Sequence, residues 1–365
     1  MSGLRRCTRC LLPETFPGIA FGDDGICNFC PRGDVAPTPA TLGREALVAA
    51  IAERSASSRY DCLVAFSGGR DSSYVLYYAS RVLGLRVQAF TIDNGFMPQA
   101  TIDNIDRAVR ILGVDHVVER HNLVVKTVRR LLPAWLRKPS AAMVSLFCTG
   151  CRLGLQRGFI HATRAAHTPV VLSGLGEPEQ GFAMQLLGAG RPVVRGMIKG
   201  LCGELLSNPS YLLERPSLLW WIYLEYLYAG NLYGISRFTP VKCLLSPGMR
   251  HVKFFEYVPW REDHIVSTIE AELGWRNWQE SVSSWRSDCK ISLLKNALYL
   301  ATLGFTKNDV LVSNLVRLGV MSRDKGLARV ERENLAYEPF LESFLPEFGI
   351  TYGVYRDAMR MAGFG

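Results

Sequence analysis

The sequence predicts an α/β protein with a parallel sheet, preceded by a cysteine-rich module and followed by a helical region. Three observations carry this prediction, and the first two are that short apolar runs alternate with helical patterns between residues 60 and 200, and that small polar turns follow the runs. The third is composition, because 48% of the 365 residues are hydrophobic and 21% are charged. Such a composition is typical of folded domains and excludes disordered, collagen-like and coiled-coil chains.

Strand-length and helix-length patterns follow one another along this region. The first predicted helix covers 44–54, where apolar residues recur at helical spacing. Apolar runs of strand length and longer periodic stretches then alternate, giving strands at 62–66, 87–92, 116–118 and 169–172, and helices at 72–83 and 98–112. The turns after Phe66, Ile92 and Leu172 end parallel strands, so we expect them to share the ligand-binding edge of the sheet.

The remaining organisation is read from composition and helix signals. Four segments are predicted, at 1–35, 36–59 (linker and helix), 60–200 (nucleotide-binding domain) and 201–365 (remainder and C-terminal helices). In the last segment, a helix ends at 270–275 and two more cover 291–303 and 310–318, the second with a capping-box-like start. The apolar run 218–233 is shorter than the roughly 20 residues of a membrane span and contains Glu225, so a buried or interface helix is expected.

Charge and cysteine content indicate the compartment and the class of ligand. No apolar stretch follows the basic N-terminal residues, which predicts a cytoplasmic protein without a signal peptide. In a reducing compartment the ten cysteines favour metal or redox sites over disulfides. A net charge of +9 is modest for this length and fits an anionic substrate such as a nucleotide.

The strongest motif is the run of residues 67–72, which reads Ser-Gly-Gly-Arg-Asp-Ser between a strand and a helix. Its glycines let the backbone turn so that N–H groups converge on one point, and the helix N-terminus favours an anion there. Ser67, Ser72 and Ser73 can donate hydroxyl groups to phosphate oxygens, and Asp71 can hold Mg²⁺. A Walker-type loop is excluded because no Gly-Lys-Ser/Thr sequence is present.

This loop resembles the SGGxDS loop of the PP-loop ATP pyrophosphatases, whose fold is adenine-nucleotide alpha-hydrolase-like (Rossmann-like). The resemblance implies that ATP and Mg²⁺ bind here and that Asp71 and Ser67 are catalytic. The implied ATP-binding residues are Ser67, Gly68, Gly69, Arg70, Asp71, Ser72, Ser73, Asp93, Asn94, Ser173 and Gly174. It also implies that a substrate oxygen attacks the α-phosphate, pyrophosphate leaves, and a nitrogen or sulfur nucleophile displaces AMP.

Two cysteine pairs lie in the N-terminal module. Cys7 and Cys10, then Cys27 and Cys30, have the spacing of a four-cysteine zinc site, which predicts a zinc ribbon folded by Zn²⁺. The module and the segment 272–276 resemble N-acetyl sugar amidotransferases within the PP-loop group. That resemblance implies transfer of nitrogen to an N-acetyl sugar for surface glycans, with ammonia from a separate glutaminase partner.

A third cysteine group leaves the chemistry open. Cys148, Cys151 and Cys289 resemble the three ligands of the [4Fe–4S] cluster in PP-loop thiolation enzymes, which implies sulfur transfer to tRNA or a small molecule from a sulfur-donor partner. Alternatively, Cys148 and Cys151 form a redox disulfide or carry a persulfide, or all three only pack. A further alternative is a non-catalytic module that binds zinc and nucleotide.

Overall fold

A five-stranded parallel sheet lies at the centre of the molecule. The computed structural model describes residues 4–30, 41–55, 58–174, 206, 209, 248–279, 281 and 283–364. The strand order is β3-β2-β1-β4-β5. The strands are β1 (Cys62–Ala65), β2 (Val87–Asp93), β3 (Asp115–Arg120), β4 (Val170–Ser173) and β5 (Arg250–Lys253). This arrangement confirms the predicted α/β class; the apolar run 218–233 lies outside the described residues.

The middle of the sheet is its most apolar part. Strand β1 pairs in parallel with β2 on one side and with β4 on the other. Leu63 and Val64 are fully buried there, as expected for a strand covered on both faces. The chain runs outward from β1 in one direction to β3 and later in the other direction to β5. Ligands bind where the order reverses in this way, at the carboxyl ends of the strands.

Helices cover the sheet and form the C-terminal region. Those of the first part are α1 (Arg44–Ser55), α2 (Arg70–Tyr77) with a π-helical continuation (Tyr78–Val82), α3 (Gln99–Leu112), α4 (Leu123–Arg137) and α5 (Thr149–Ala165). The later ones are α6 (Glu262–Leu273), α7 (Lys290–Leu303), α8 (Lys307–Arg317), α9 (Arg323–Asn334), α10 (Tyr337–Phe344) and α11 (Tyr352–Met361). Helix α8 begins with the predicted capping box, formed by Thr306 and Asp309. No helix in the described ranges is long and apolar enough to cross a membrane.

The cysteine-rich N-terminal segment packs against the C-terminal helices. Its four cysteines belong to the same apolar cluster as residues of α4, α7 and α10. The Phe16 and Phe305 rings lie 5.7 Å apart, and the Thr15 hydroxyl donates to the Leu303 carbonyl at 2.6 Å. The segment is too short to enclose a core of its own, so it shares one with the helices.

Candidate nucleotide and metal sites

The turn between β1 and α2 has the shape that a phosphate cradle requires. Gly68 has φ +74°, and a Cβ there would lie 2.6 Å from Ile105 Cγ1 and 2.8 Å from the Thr101 carbonyl oxygen. Both the backbone conformation and the lack of space therefore require glycine. Gly69 is extended and precedes the first turn of α2. The loop thus places a helix N-terminus at the carboxyl edge of the sheet, where an anion is favoured.

The serines of the loop have two different roles in its geometry. The Ser67 and Ser72 hydroxyls lie 3.1 Å apart, and Ser72 Oγ donates to the Gly69 carbonyl at 3.1 Å. These two side chains brace the turn. Ser73 is 1% exposed, and its buried Oγ has no hydrogen-bond partner among the described residues. A buried hydroxyl without a hydrogen-bond partner costs free energy, so the Ser73 hydroxyl is suited to donate to an oxygen of a ligand.

The end of β4 meets the loop, as expected for neighbouring parallel strands, whereas the described contacts at the end of β2 are with other residues. A Cβ on Gly174 would lie 3.3 Å from Asp71 Cβ, so the turn after β4 abuts the start of α2. Ser173, just before it, is buried and its Oγ has no partner in the described structure. At the end of β2, Asp93 accepts the Gly95 N–H and pairs with Arg120 at 2.7 Å.

Arg70 lies in a buried ionic network. Its guanidinium donates to both carboxylate oxygens of Asp71 and, at 2.7 Å, to Glu262. The rings of Trp260 and Trp285 lie 5.0 and 5.5 Å from it, and Arg329 pairs with the other oxygen of Glu262. The Arg70 guanidinium is already bonded to Asp71 and Glu262. Any contact of Arg70 with ATP would therefore be made by its backbone N–H and not by its side chain.

The network lowers the pKa of its central carboxyl. Burial alone would raise the pKa of Glu262, but the hydrogen bond from Arg329 and the charges of Arg70 and Arg329 outweigh it and lower the pKa. Glu262 is therefore ionised at neutral pH. None of these partners was identified from the sequence, because Glu262 and Arg329 lie far from the loop along the chain.

Trp275 and Asp288 lie against the phosphate loop, which the sequence did not predict. Trp275 Nε1 donates to the Gly68 carbonyl at 3.0 Å. A Cβ on Gly69 would lie 3.3 Å from both Cβ and Oδ2 of Asp288. Asp288 Oδ1 is buried and has no hydrogen-bond partner in the described part of the chain. A tryptophan after the left-handed cap Gly274 was the available signal, since it marks a buried aromatic just beyond a helix.

The three additional cysteines come together beyond the end of β2. Asn94, which is 7% exposed, donates to Cys289 Sγ at 3.4 Å, and Lys295 Nζ donates to Cys148 Sγ at 3.3 Å. Burial raises the pKa of the Cys289 thiol to about 12 and that of Cys151 to about 11. Burial also acts on Cys148, but the positive charges of Lys295 and two arginines reverse the effect and lower its pKa.

The four N-terminal cysteines form a compact group. Their sulfur atoms lie 3.8 Å apart for Cys7 and Cys30, and 3.7 Å apart for Cys10 and Cys27 and for Cys27 and Cys30. Within the described residues, no other set of three or more His, Cys, Asp or Glu ligand atoms lies within 4.8 Å of one another. The group can hold a metal ion. Burial raises the pKa of Cys7, but backbone N–H groups, including that of Cys10, lower it to about 7.

The fold and the loop define a parallel α/β nucleotide-binding domain. Residues 42–176 match the asparagine synthase family, a PP-loop ATP pyrophosphatase domain, over less than half of the chain. No curated protein sequence matches the chain. Among solved structures, NMN synthetase from Francisella tularensis aligns with 81% of this chain and 93% of its own, at 10% identity and a TM-score of 0.37. At that TM-score the alignment supports no functional inference.

Proposed function

We propose that the chain is an ATP-dependent, AMP-forming enzyme that adenylates a carbonyl oxygen of its acceptor. The observation that carries the proposal is the phosphate loop, in which Gly68 tolerates no side chain and beside which the buried hydroxyls of Ser73 and Ser173 have no hydrogen-bond partner among the described residues. The similarity of residues 42–176 to the asparagine synthase family supports it independently.

Each predicted site residue has a role in this reaction. The loop N–H groups and Ser73 Oγ bind the phosphates of ATP, and Ser67 keeps the turn in shape while contributing to catalysis. Asp71 contributes to holding the cation that accompanies ATP, and Ser173, Gly174, Asp93 and Asn94 contact the nucleotide. Attack of the acceptor oxygen on the α-phosphate releases pyrophosphate, whose charge the helix N-terminus stabilises. AMP then leaves when a nucleophile attacks the activated carbon.

The nucleophile in the leading proposal is ammonia, and the acceptor is an N-acetyl sugar. The sequence resemblance of the cysteine module and of residues 272–276 supports this choice, and Trp275 of that segment contacts the phosphate loop. Ammonia reaches the site from a glutaminase partner supplied in trans. Such an enzyme acts in the cytoplasm on precursors of surface glycans.

The N-terminal module holds Zn²⁺ in this proposal. A tetrahedral ion with bonds to sulfur of about 2.3 Å separates its ligands by about 3.8 Å. The distances of 3.7–3.8 Å between these sulfur atoms fit that geometry. The metal replaces the core that a segment of this size lacks, and the C-terminal helices cover one side of the site.

Sulfur transfer is the second candidate, favoured by the three additional cysteines. Asp288 covers Gly69 and is followed directly by Cys289, so the phosphate loop and the cysteine group share one short segment. The thiols of Cys148, Cys151 and Cys289 are not all within 4.8 Å of one another. A [4Fe–4S] cluster does not require such close sulfur atoms, because each thiolate binds a different iron. When bound, such a cluster supplies an iron with an open position for sulfide.

Exchange of labelled pyrophosphate into ATP tests the adenylation step. Wild-type protein with its acceptor should exchange, and Ser73→Ala should reduce exchange at least about tenfold because one phosphate donor is lost. The matched control is Ser80→Ala, since the Ser80 hydroxyl donates back to the Leu76 and Tyr77 carbonyls of the preceding turn. The proposal would be contradicted if the protein bound ATP but showed neither exchange nor AMP release with N-acetyl sugars or with acceptors of sulfur. That result would indicate a binding module.

Anaerobic purification separates nitrogen from sulfur transfer. If the chain is an amidotransferase, we expect zinc as the only metal and release of AMP from ATP in the presence of an N-acetyl sugar and ammonia. The thiolation enzyme predicts about four irons and matching sulfide per chain, lost in Cys148→Ala and Cys289→Ala. Iron that persists in both variants would contradict the assignment of the cluster to these cysteines.

A further inference from the structure

Asp288 lies directly on the predicted phosphate site. Its Cβ, Cγ and Oδ2 all lie 3.3 Å from the position that a Cβ on Gly69 would occupy. Gly69 immediately precedes α2, at the point where the helix N-terminus attracts anions. A negatively charged side chain therefore borders the cradle in which the phosphates of ATP are expected.

The carboxylate has an oxygen that the protein does not use. Asp288 Oδ1 is buried without a hydrogen-bond partner among the described residues. Two further oxygens around the loop are in the same state, those of Ser73 and Ser173, whose residues are 1% and 3% exposed. Leaving buried polar atoms unpaired is costly, so three of them around one loop indicate a ligand with polar or charged atoms.

Asp71, the cation ligand expected from the sequence, is differently placed. Its Oδ1 accepts from Arg70 Nε at 2.9 Å and from Trp260 Nε1 at 3.2 Å, and its Oδ2 accepts from Arg70 at 3.1 Å. Three of its roughly four lone-pair positions are thus occupied. The adjacent guanidinium also repels a cation, so Asp71 alone is a poor ligand for Mg²⁺.

A carboxylate that borders a bound triphosphate repels it unless a cation lies between them. Mg²⁺ is bound in proteins by one or two carboxylates together with substrate phosphates. We propose that the Asp288 carboxylate is a ligand of the divalent cation that accompanies ATP. This inference rests on the proposed function, since it assumes that ATP binds in the loop.

Calorimetric titration of ATP in the presence of Mg²⁺ and of EDTA tests the inference, using the full-length protein and Asp288→Asn. In the wild type, Mg²⁺ should raise ATP affinity. In Asp288→Asn that gain should fall by at least roughly tenfold, because a ligand of the ion is lost. Affinity for ATP in EDTA should stay the same or increase, because the substitution removes a negative charge beside the phosphates.

The control is Asp263→Asn, which removes an exposed carboxylate from the first turn of α6 and should leave both affinities unchanged. Paramagnetic resonance of Mn²⁺ with ATP and each variant gives a second readout that does not depend on turnover. An unchanged gain with Mg²⁺ in Asp288→Asn, or a loss of affinity in EDTA as well, would overturn the inference. If the wild type binds ATP under neither condition, the proposed function fails instead.

Discussion

Arg70 Nη1 lies 2.7 Å from Glu262 Oε1, and this contact joins the phosphate loop to helix α6 across 192 positions of the chain. Glu262 in turn accepts two hydrogen bonds from Arg329 of α9. The first residue of α2 is therefore held from the C-terminal half of the molecule. Since Arg70 also donates two hydrogen bonds to Asp71, the network fixes the orientation of the Asp71 carboxylate next to the loop.

Replacing Glu262 should destabilise the protein in a pH-dependent way. Glu262→Gln leaves the buried Arg70 guanidinium and the partly buried Arg329 guanidinium without their shared anion, which should lower the free energy of unfolding by roughly 3 kcal/mol at pH 7. In the folded state the pKa of Glu262 lies below its ordinary value of 4.5. Its contribution to stability is therefore present above pH 4.5 and is lost as the pH falls from there through the folded-state pKa. The deficit of the variant should therefore shrink in acid.

Denaturant unfolding of the wild type and Glu262→Gln between pH 3.5 and 7.5 measures this deficit. Glu270→Gln, an exposed substitution on the same helix, serves as the control and should change stability little at any pH. A deficit that is constant with pH would mean that packing, rather than charge, accounts for the loss.

The loop and the strand-end turns could be predicted because their signals are local. A glycine pair between an apolar run and a helix defines the cradle, and parallel-sheet geometry puts the turns after β2 and β4 at the same edge of the sheet. Asp288 and Glu262 could not be found this way, because they reach the loop from distant segments with no period or spacing of their own. Strand β5 was missed for a related reason: of its four residues only Val252 is buried.

Gly68 should be required for nucleotide binding. Gly68→Ala forces a side chain into φ +74° and within 2.8 Å of the Thr101 carbonyl oxygen. The loop must then shift, and we expect ATP affinity to fall at least about tenfold, together with a loss of stability beyond the roughly 1–2 kcal/mol of the backbone conformation alone.

Gly84→Ala is the matched control for that substitution. Gly84 has φ +65° but open space around its Cβ position, so it carries the same conformational penalty without the clash. Calorimetry with ATP and thermal unfolding of both variants separate the two effects. Equal ATP affinity in the two variants would show that the close contacts at Gly68 do not shape the phosphate site.

Metal removal should destabilise the helical region as well as the N-terminal segment. The Cys10 thiol accepts from Arg317 Nη1 at 3.3 Å, and Arg323 Nε donates to the Cys7 and Cys10 carbonyls at 3.2 and 3.1 Å. Because the cysteine group shares its core with the helices, a strong chelator should lower the Tm by at least about 5 °C.

Differential scanning calorimetry with and without chelator measures the effect of the metal. Without chelator, Cys27→Ser should already have the lowered Tm that the wild type shows with chelator, because the variant has lost a metal ligand. Adding chelator should not lower its Tm further. Cys62→Ser, in the core of the sheet, should retain the chelator-induced decrease. A chelator effect of the same size in Cys27→Ser would place the metal elsewhere.

Among the three additional cysteines, Cys148 should react first with alkylating agents. Its thiol has a lowered pKa, whereas burial raises those of Cys151 and Cys289 to about 11 and about 12. Only the thiolate is nucleophilic, so at pH 7.5 alkylation by iodoacetamide should favour Cys148. Lys295→Met removes the ammonium 3.3 Å from the sulfur and should slow that reaction and shift its pH midpoint upward.

Lys290→Met, which removes a lysine paired with Glu347 instead, should leave the rate unchanged. Mass spectrometry of the modified peptides at several pH values measures both quantities, and equal reactivity of the three thiols would contradict the charge-based difference between them.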